Sequence, residues 1–451
     1  MKKSILVLVA LLIAFAPAYA QEANKEAKKA EVKSHLKQHF KPYGFIRNYF
    51  TYDSRESISG TGDLYNYQPK DQNLNAYGDD LNATSTFRFL SLTTRVGLNI
   101  VGYKWRNTEF SGKIEADFYA GLSTKTNQTH SVSGTAQLRL RQAYVTLGWD
   151  SLKMGKDFAR VDLTIGQTWH PMAADLCDVI ALASGAPFGP FNRSPQVKMD
   201  ARLGKYVTLT AAGLWQMQYL STGPEGQSAE YMLYSKTPEA YLGLSFHDKG
   251  FLMRVGADVL SIQPRHLGKD AAGETIKVND RITTASPFIY LQYKKGEFSI
   301  KAKSIFAEAG EHMNLNSGYG ISKINPDGSY EYTPLRNSSS WISIVYGGKV
   351  GAQEDKHPQK LQGILFAGYI HNFGTKDTLV GSLYTPRPNT MREMWRLTPT
   401  LLYTVGKFQV GLEYEITSVQ YGKGLDKHGL AQNDLHWVTN HRVQLMTKYN
   451  F

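Results

Sequence analysis

In the stretch Glu109-Phe-Ser-Gly-Lys-Ile-Glu-Ala-Asp-Phe-Tyr-Ala120, polar residues alternate with apolar or small residues. Phe110 and Ile114 belong to an apolar face, whereas Lys113 and Asp117 belong to the charged face between them. A side-chain period of two indicates a β-strand. A strand with one clean apolar face and one charged face is typical of a transmembrane β-barrel, where lipid covers the outside and water fills the inside.

The same alternation recurs from Tyr43 to the C-terminus, in segments that are longer than the strands of about 5–6 residues in a soluble β-sandwich. Short turns such as Gly204-Lys205 alternate with long polar connections such as 262–282. This asymmetry is typical of a barrel whose long loops lie outside the cell. We therefore predict an all-β fold, a 16-stranded antiparallel transmembrane β-barrel over residues 42–451. Tyr and Trp near strand ends, among them Trp341, predict aromatic girdles.

Both ends of the chain indicate export to the bacterial outer membrane. Residues 1–20 have the basic start, the apolar run and the small-residue cleavage site of a secretory signal peptide. Residues 21–41 are charged and Ala-containing, which predicts a short periplasmic helical segment that Pro42 ends. The final alternating segment closes on Phe451, an aromatic C-terminus that resembles the signal of outer-membrane proteins.

Composition and the absence of known motifs limit the classes of function that we expect for the chain. The formal net charge is +12 and is spread along the chain, which in an exported protein favours an anion-attracting cavity over nucleic-acid binding. Cys177 is the single cysteine, so no intramolecular disulfide forms. Phosphate-loop, zinc-protease, nucleophile-elbow and paired-Cys motifs are absent from the sequence, so we predict no cofactor, no metal and no enzymatic activity. His170 and His247 are candidates for lumenal positions without a recognisable triad.

One connection differs from the others. Residues 168–195, between the fifth and sixth predicted strands, contain Pro and Gly but also Met172, Leu176, Phe188 and Phe191. That segment is too irregular for a strand and too apolar for a loop in water. We predict that this loop 3 folds into the lumen and narrows it; the alternative is packing at a subunit interface.

Inward positions of the predicted strands carry more basic than acidic side chains. We expect Arg139 and Arg141 to form the wall of the constriction, with Arg193 at the exit of loop 3 facing Asp175 and Asp178. The alternative is that these charges pair with one another and stiffen the wall. The complete predicted set of constriction and solute-facing residues is Arg139, Arg141, Asp175, Asp178, Arg193, Lys113 and Arg396.

Three short motifs carry a family resemblance: Arg139-Leu-Arg-Gln-Ala-Tyr-Val145, Gly166-Gln-Thr-Trp169 and Arg193-Ser-Pro-Gln-Val197. Together they resemble the DcaP-like porins, and Leu365-Phe-Ala-Gly-Tyr369 and the Trp395–Tyr421 hairpin resemble relatives from Bacteroidetes-type bacteria. The resemblance implies a trimeric 16-stranded outer-membrane channel with loop 3 folded into each pore. It also implies the uptake of small, often negatively charged solutes.

These observations lead to one expectation and one alternative. The expectation is a passive diffusion porin with a moderate anion preference, assembled as a homotrimer. Its partners would be outer-membrane lipid, lipopolysaccharide and small hydrophilic solutes, with no nucleic acid and no cofactor. No plug domain precedes the first predicted strand, which argues against energised uptake. The alternative is an outer-membrane barrel with a non-transport role, either an enzyme or a surface or adhesive protein.

Overall fold

A computed structural model of the chain describes residues 38–60, 64–119, 137–154, 157–180, 185–351 and 358–451. The predicted signal peptide and nearly all of the predicted periplasmic helical segment lie outside the described residues, so both stay predictions. Among the described residues, no helix combines the length and the apolarity that a membrane crossing needs.

The described residues form one closed antiparallel barrel of 16 strands, numbered β1 to β16 in chain order. The second strand consists of two segments, which both pair with the first strand. The strands are Phe40–Asp53 (β1), Thr86–Leu90 with Arg95–Trp105 (β2), Thr108–Tyr119 (β3), Gln137–Met154 (β4), Asp157–Trp169 (β5), Arg193–Leu203 (β6), Val207–Leu214 (β7), Glu239–Asp248 (β8), Phe251–Ile262 (β9), Ile282–Lys295 (β10), Phe298–Glu308 (β11), Tyr330–Tyr346 (β12), Gln359–Thr375 (β13), Met391–Val405 (β14), Phe408–Leu425 (β15) and Ala431–Asn450 (β16).

Each strand pairs with its neighbour in the chain, and β16 pairs with β1, from Phe45 opposite Asn450 to Asp53 opposite Arg442. The predicted barrel class and strand number are therefore confirmed. Closure leaves the barrel wall without an open edge over the described strands. A β-structure in lipid requires this, because unpaired backbone N–H and C=O groups find no hydrogen-bond partner in hydrocarbon. The first strand begins at Phe40, a few residues before its predicted start.

Further short elements lie mostly in the long connections, which all leave the barrel at one end. The opposite end carries tight turns such as the one between β6 and β7. The short elements are the strands Ser57–Gly60, Tyr65–Pro69, Thr222–Gly223, Gly226–Gln227, Leu267–Lys269, Thr275–Lys277, Gly318–Ile324, Lys349–Val350 and Leu383–Tyr384, the α-helix Glu230–Ser235, and the 3-10 turns Pro171–Ala173 and Gly310–Met313.

The two faces of the barrel wall differ as the alternation predicts. Large apolar side chains such as Ile114, Leu242 and Leu412 are half exposed on one face. Polar side chains at the intervening positions, such as Asp117, are buried on the other face. Trp341 departs from its predicted place in a girdle, since it is 5% exposed and packs against Phe366 on the buried face. Trp341 lies within β12 and packs internally, so it does not contact a membrane interface.

A buried ion pair lies across the seam where β16 meets β1. Arg442 Nε and Nη2 donate to the two carboxylate oxygens of Asp53 at 2.8 and 2.9 Å, and both side chains are 2% exposed. Asn440 Nδ2 donates to the same carboxylate at 2.8 Å. A bidentate guanidinium–carboxylate pair fixes both distance and orientation, so this contact supports the register that closes the barrel.

Replacement of Asp53 by Asn preserves the shape of the side chain but removes the carboxylate that forms the bidentate pair with the buried Arg442 guanidinium. We expect Asp53→Asn to lower the free energy of unfolding by about 3–5 kcal/mol, the usual cost of breaking a buried pair on one side. The measurement is the urea concentration at which half of the barrel is unfolded in detergent micelles. The gel mobility of the unheated protein monitors the folded fraction.

Asp150→Asn is the matched control, because Asp150 pairs with Arg160 at 2.9 Å but its side chain is 67% exposed. An exposed pair contributes about 0–1 kcal/mol, so this variant should unfold close to the wild-type midpoint. Equal midpoints for the two variants would contradict a stabilising role of the seam pair.

Candidate functional site

Loop 3 in the structure comprises residues 170–192, between β5 and β6, and is described except for 181–184. It begins with a 3-10 turn in which His170 Nδ1 accepts a hydrogen bond from Met172 N at 3.1 Å and Pro171 occupies the first position. Proline suits that position because its missing N–H has no partner there. Met172, Phe188 and Phe191 are almost completely buried, so the apolar side chains of loop 3 are covered by the protein.

Two lysines of β11 bind the first half of loop 3. Lys303 Nζ donates to the carbonyl oxygens of Met172 and Asp175 at 2.6 and 2.9 Å. Lys301 Nζ lies 2.9 Å from Asp178 Oδ1. The side chain of Lys303 is buried, so water does not compete with its ammonium group for the carbonyl oxygens.

The tip of loop 3 contacts strands well separated around the barrel. Asp178 N donates to Ser343 Oγ of β12 at 3.3 Å, and Ile180 N donates to Glu413 Oε2 of β15 at 3.0 Å. The hydroxyl of Tyr49, on β1, donates to the carbonyl oxygen of Ile180 at 3.2 Å. A single short segment is thus bound by side chains from the buried face of three strands.

The second half of loop 3 returns along β12, β13 and β14. Arg396 Nη1 of β14 donates to the carbonyl oxygen of Ala186 at 3.0 Å. The rings of Phe188 and Phe366 lie 6.1 Å apart in an edge-to-face arrangement. A Cβ on Gly189 would lie 2.6 Å from Trp341 Nε1, so only glycine permits this approach of the backbone to the indole.

A second group of charged side chains lies on the buried faces of β1 to β4 and β16, and we name it the basic wall. Three of its cations surround one aromatic ring: the Arg47, Arg95 and Lys448 charges lie 4.8, 5.0 and 4.7 Å from the centroid of Phe45. Cations gather at a ring face because of its quadrupole. The basic wall consists of Arg47, Arg95, Lys113, Arg139, Arg141 and Lys448.

Carboxylates compensate part of the basic wall. Arg139 forms a bidentate pair with Asp117 at 2.9 and 3.0 Å. Arg141 bridges Glu115 and Asp117 at 2.8 Å each. These ion pairs correspond to the alternative that we derived from the sequence, in which Arg139 and Arg141 pair with carboxylates and stiffen the wall.

Arg95 and Lys113 lie 3.5 and 3.9 Å from Glu115 Oε2, so they share this carboxylate with Arg141. Among the described residues, no carboxylate forms an ion pair with Arg47, Lys448 or Arg193. The Arg193 guanidinium is buried and lies 5.0 Å from the ring centroid of Trp169. The wall together with Arg193 therefore retains an excess of positive charge.

The structure distributes the predicted site residues over three places. Arg139, Arg141 and Lys113 lie on the basic wall, and Arg193 lies next to it at the exit of loop 3. Asp175 and Asp178 are held at the opposite side, by Arg254 at 3.4 Å and by Lys301, and not by Arg193. Arg396 is buried beneath the returning half of loop 3. Lys303 and Tyr49 were not among the predicted site residues, although the alternation places Lys303 on the inward face.

A cavity of about 480 Å³ adjoins the basic wall. Its polar lining includes Arg139, Arg193 and Gln167, and its aromatic lining includes Tyr67 and Tyr219. The two guanidinium groups and the aromatic rings give this space the chemistry of a binding site for a small organic anion.

Cys177 lies in loop 3 and is buried. Burial, and secondarily the carboxylate of Asp178, raise the pKa of the thiol to about 12. A thiol with that pKa is protonated at neutral pH, so Cys177 is a packing residue and not a nucleophile.

The fold is similar to that of known outer-membrane channels. Over 91% of this chain and 97% of the other, it superposes on the outer-membrane channel DcaP of Acinetobacter baumannii with a TM-score of 0.61 at 17% identity. The anion-selective porin from Comamonas acidovorans, at a TM-score of 0.46 and 9% identity over 91% and 99% of the two chains, is too distant to support an argument. No family model and no curated protein sequence matches the chain. The likeness to DcaP shows the fold.

Replacement of Lys303 by Met keeps the volume of the side chain but removes both bonds to loop 3. A buried carbonyl that loses its partner costs about 1–3 kcal/mol, so we expect local opening to become about tenfold more frequent or more. The measurement is hydrogen–deuterium exchange of the amides of 172–180, which should accelerate in Lys303→Met.

Lys198→Met is the control, because Lys198 lies on β6 and its ammonium pairs with Asp200 on the same strand. That variant should leave exchange in 172–180 at the wild-type rate. Identical exchange in both variants would show that Lys303 does not hold loop 3.

Proposed function

We propose that the chain is a porin of the bacterial outer membrane, a water-filled channel for the passive diffusion of small hydrophilic solutes with a moderate preference for anions. Loop 3 lies in the lumen and forms the constriction. The observation that carries this proposal is the set of bonds from loop 3 to β11, β12, β15 and β1.

The position of loop 3 follows from the closure of the barrel. The buried face of a closed 16-stranded barrel is its inner face, because the other face carries the exposed apolar side chains. The bonds of loop 3 to both β11 and β1 support a path through the interior, since several other strands separate these two around the wall. Loop 3 therefore reduces the open cross-section, and its polar backbone is satisfied by the wall.

Anion preference follows from the charge on either side of loop 3. On the side of β9 and β11, Asp175 and Asp178 are neutralised by Arg254 and Lys301. On the other side, the basic wall carries more cations than carboxylates. A permeating ion thus experiences net positive charge within low-dielectric walls, which raises the local concentration of anions.

The predicted site residues take different roles in this channel. Arg139 and Lys113 contact the permeating solute, and the buried Arg193 adds its positive charge next to them. Arg141 supports the wall from behind by fixing Glu115 and Asp117. Asp175, Asp178 and Arg396 anchor loop 3 and set the width of the passage.

The assembly and surroundings follow the same proposal. The apolar outer face is covered by outer-membrane lipid and lipopolysaccharide and by neighbouring subunits of a homotrimer. The channel uses no cofactor and performs no enzymatic step. Its relation to porins of Bacteroidetes-type bacteria remains a hypothesis that rests on the sequence motifs.

The test is ion conduction across planar bilayers with a tenfold KCl gradient. Folded protein should give stepwise currents with a reversal potential of anion-preferring sign. Arg139→Ala combined with Arg141→Ala removes both arginine partners of Asp117 and one of the basic partners of Glu115. We therefore expect the reversal potential to move towards cation preference. Folded protein without any current would contradict the channel function itself.

Lys323→Ala combined with Lys423→Ala provides the matched control. Both lysines are exposed and paired with carboxylates, Glu331 and Asp434. Lys323 lies in the connection between β11 and β12, and Lys423 lies near the end of β15. The charge removed is the same, but it lies outside the lumen and is screened by salt. This variant should keep the wild-type reversal potential, and an equal shift in both variants would argue against a selective role of the basic wall.

A further inference from the structure

A cluster of buried histidines and carboxylates lies at the start of loop 3, apart from the basic wall. Glu239 opens β8, Asp258 lies on β9, His170 opens loop 3, and His312 lies in the 3-10 turn after β11. All four side chains are at most 1% exposed. His170, Glu239 and Asp258 bring one nitrogen or oxygen each to within 4.8 Å of one another.

Backbone contacts indicate the tautomer that each imidazole ring adopts when it is neutral. His312 Nδ1 lies 3.2 Å from the carbonyl oxygen of Ala309, which only accepts, so Nδ1 carries the proton. The Nε2 of a neutral His312 is then a bare lone pair that points into the cluster. His170 is the opposite case, because its Nδ1 accepts from Met172 N and its Nε2 carries the proton, which it donates to Glu239 Oε1 at 2.6 Å.

The centre of the cluster consequently contains acceptors. His312 Nε2 lies 3.4 Å from Glu239 Oε1 and 3.5 Å from Asp258 Oδ2. His312 Nε2, Glu239 Oε2 and Asp258 Oδ1 have no hydrogen-bond partner among the described residues. Neither carboxylate forms an ion pair with a Lys or Arg in the described part of the chain. Buried acceptors that face one another repel unless a metal ion or a proton lies between them.

We infer that His312 Nε2, Glu239 and Asp258 bind a divalent transition-metal ion, with zinc as the best fit, and that His170 orients the Glu239 ligand. Metal bonds of about 2.0–2.1 Å in a tetrahedron place ligand atoms about 3.3–3.4 Å apart, close to the observed separations. A direct hydrogen bond from a protonated His312 would be nearer to 2.8 Å.

Charge and ligand type agree with this assignment. Two carboxylates with two neutral imidazoles carry a double negative charge, which a divalent ion balances. Protonation of both imidazoles would balance it as well, and the separations of 3.4 and 3.5 Å around His312 Nε2 favour the metal ion over that state. An imidazole ligand selects transition metals over Mg²⁺ or Ca²⁺. Three protein ligands leave a fourth position for a water molecule. The protonated Nδ1 of His312 on a backbone carbonyl is the usual outer-shell support of a metal-bound imidazole.

The site would join four segments of the chain. It connects the wall strands β8 and β9 to the turn that contains His312, and through the His170 hydrogen bond it also holds the start of loop 3. Asn192, at the end of loop 3, donates to the carbonyl oxygen of His312 at 2.8 Å. Metal binding therefore fixes both ends of loop 3 without contributing to the lumen.

The experiment uses the tag-free mature chain, refolded with excess ZnCl₂ and passed through gel filtration to remove free ion. Elemental analysis should give about one zinc per folded chain. His312→Gln and Glu239→Gln should each lose the bound zinc. His170→Gln should retain the site with an affinity lowered about 10–100-fold, as expected for a positioning residue.

His371→Gln is the control, because His371 pairs with Glu393 at 3.3 Å on a half-exposed surface and should not alter the zinc content. The heat-dependent gel mobility of each variant shows that its barrel is folded. Cobalt in place of zinc should give the visible absorption of a tetrahedral ion, lost in His312→Gln. Folded wild-type protein without zinc would overturn the inference in favour of a protonated His312, and zinc retained by His312→Gln would overturn the ligand assignment.

Discussion

Closure of the sheet, where β16 pairs with β1, is the constraint on which the remaining structure depends. It provides hydrogen-bond partners for both edges of each of the 16 wall strands. It also divides their side chains into an exposed apolar face and a buried polar face. The buried face of a barrel of this size encloses more space than its own side chains fill. That space has to hold either water or polypeptide chain, and we propose that loop 3 fills part of it.

Cations serve two purposes inside the barrel. Lys301, Lys303 and Arg396 bind the backbone or carboxylates of loop 3, so their charge stabilises an irregular segment that has no sheet partner. The cations of the basic wall are only partly compensated, so their charge acts on the enclosed solvent. In the channel that we propose, this division lets a strongly basic chain both hold a constriction and favour anions.

The barrel was predictable from the sequence because its signal is local: period two, short turns alternating with long connections, and an aromatic end at Phe451. The partners of loop 3 were not predictable, because Tyr49 and Glu413 lie far from Ile180 in sequence and meet it only after closure. Trp341 shows the same limit, since its place near a strand end does not reveal which face it occupies. No sequence motif predicts the buried cluster, because its members follow no regular spacing. They are His170, Glu239, Asp258 and His312.

The central claim is that loop 3 crosses the interior and rests against the far wall. A disulfide between Asp178→Cys and Ser343→Cys, in a Cys177→Ala background, tests it directly, because Asp178 N and Ser343 Oγ are 3.3 Å apart. Such proximity allows the Cα separation of about 4.4–6.8 Å that a disulfide needs. The account predicts that mild oxidation cross-links the folded protein in its membrane in high yield. Two free thiols after oxidation of the folded barrel would contradict it.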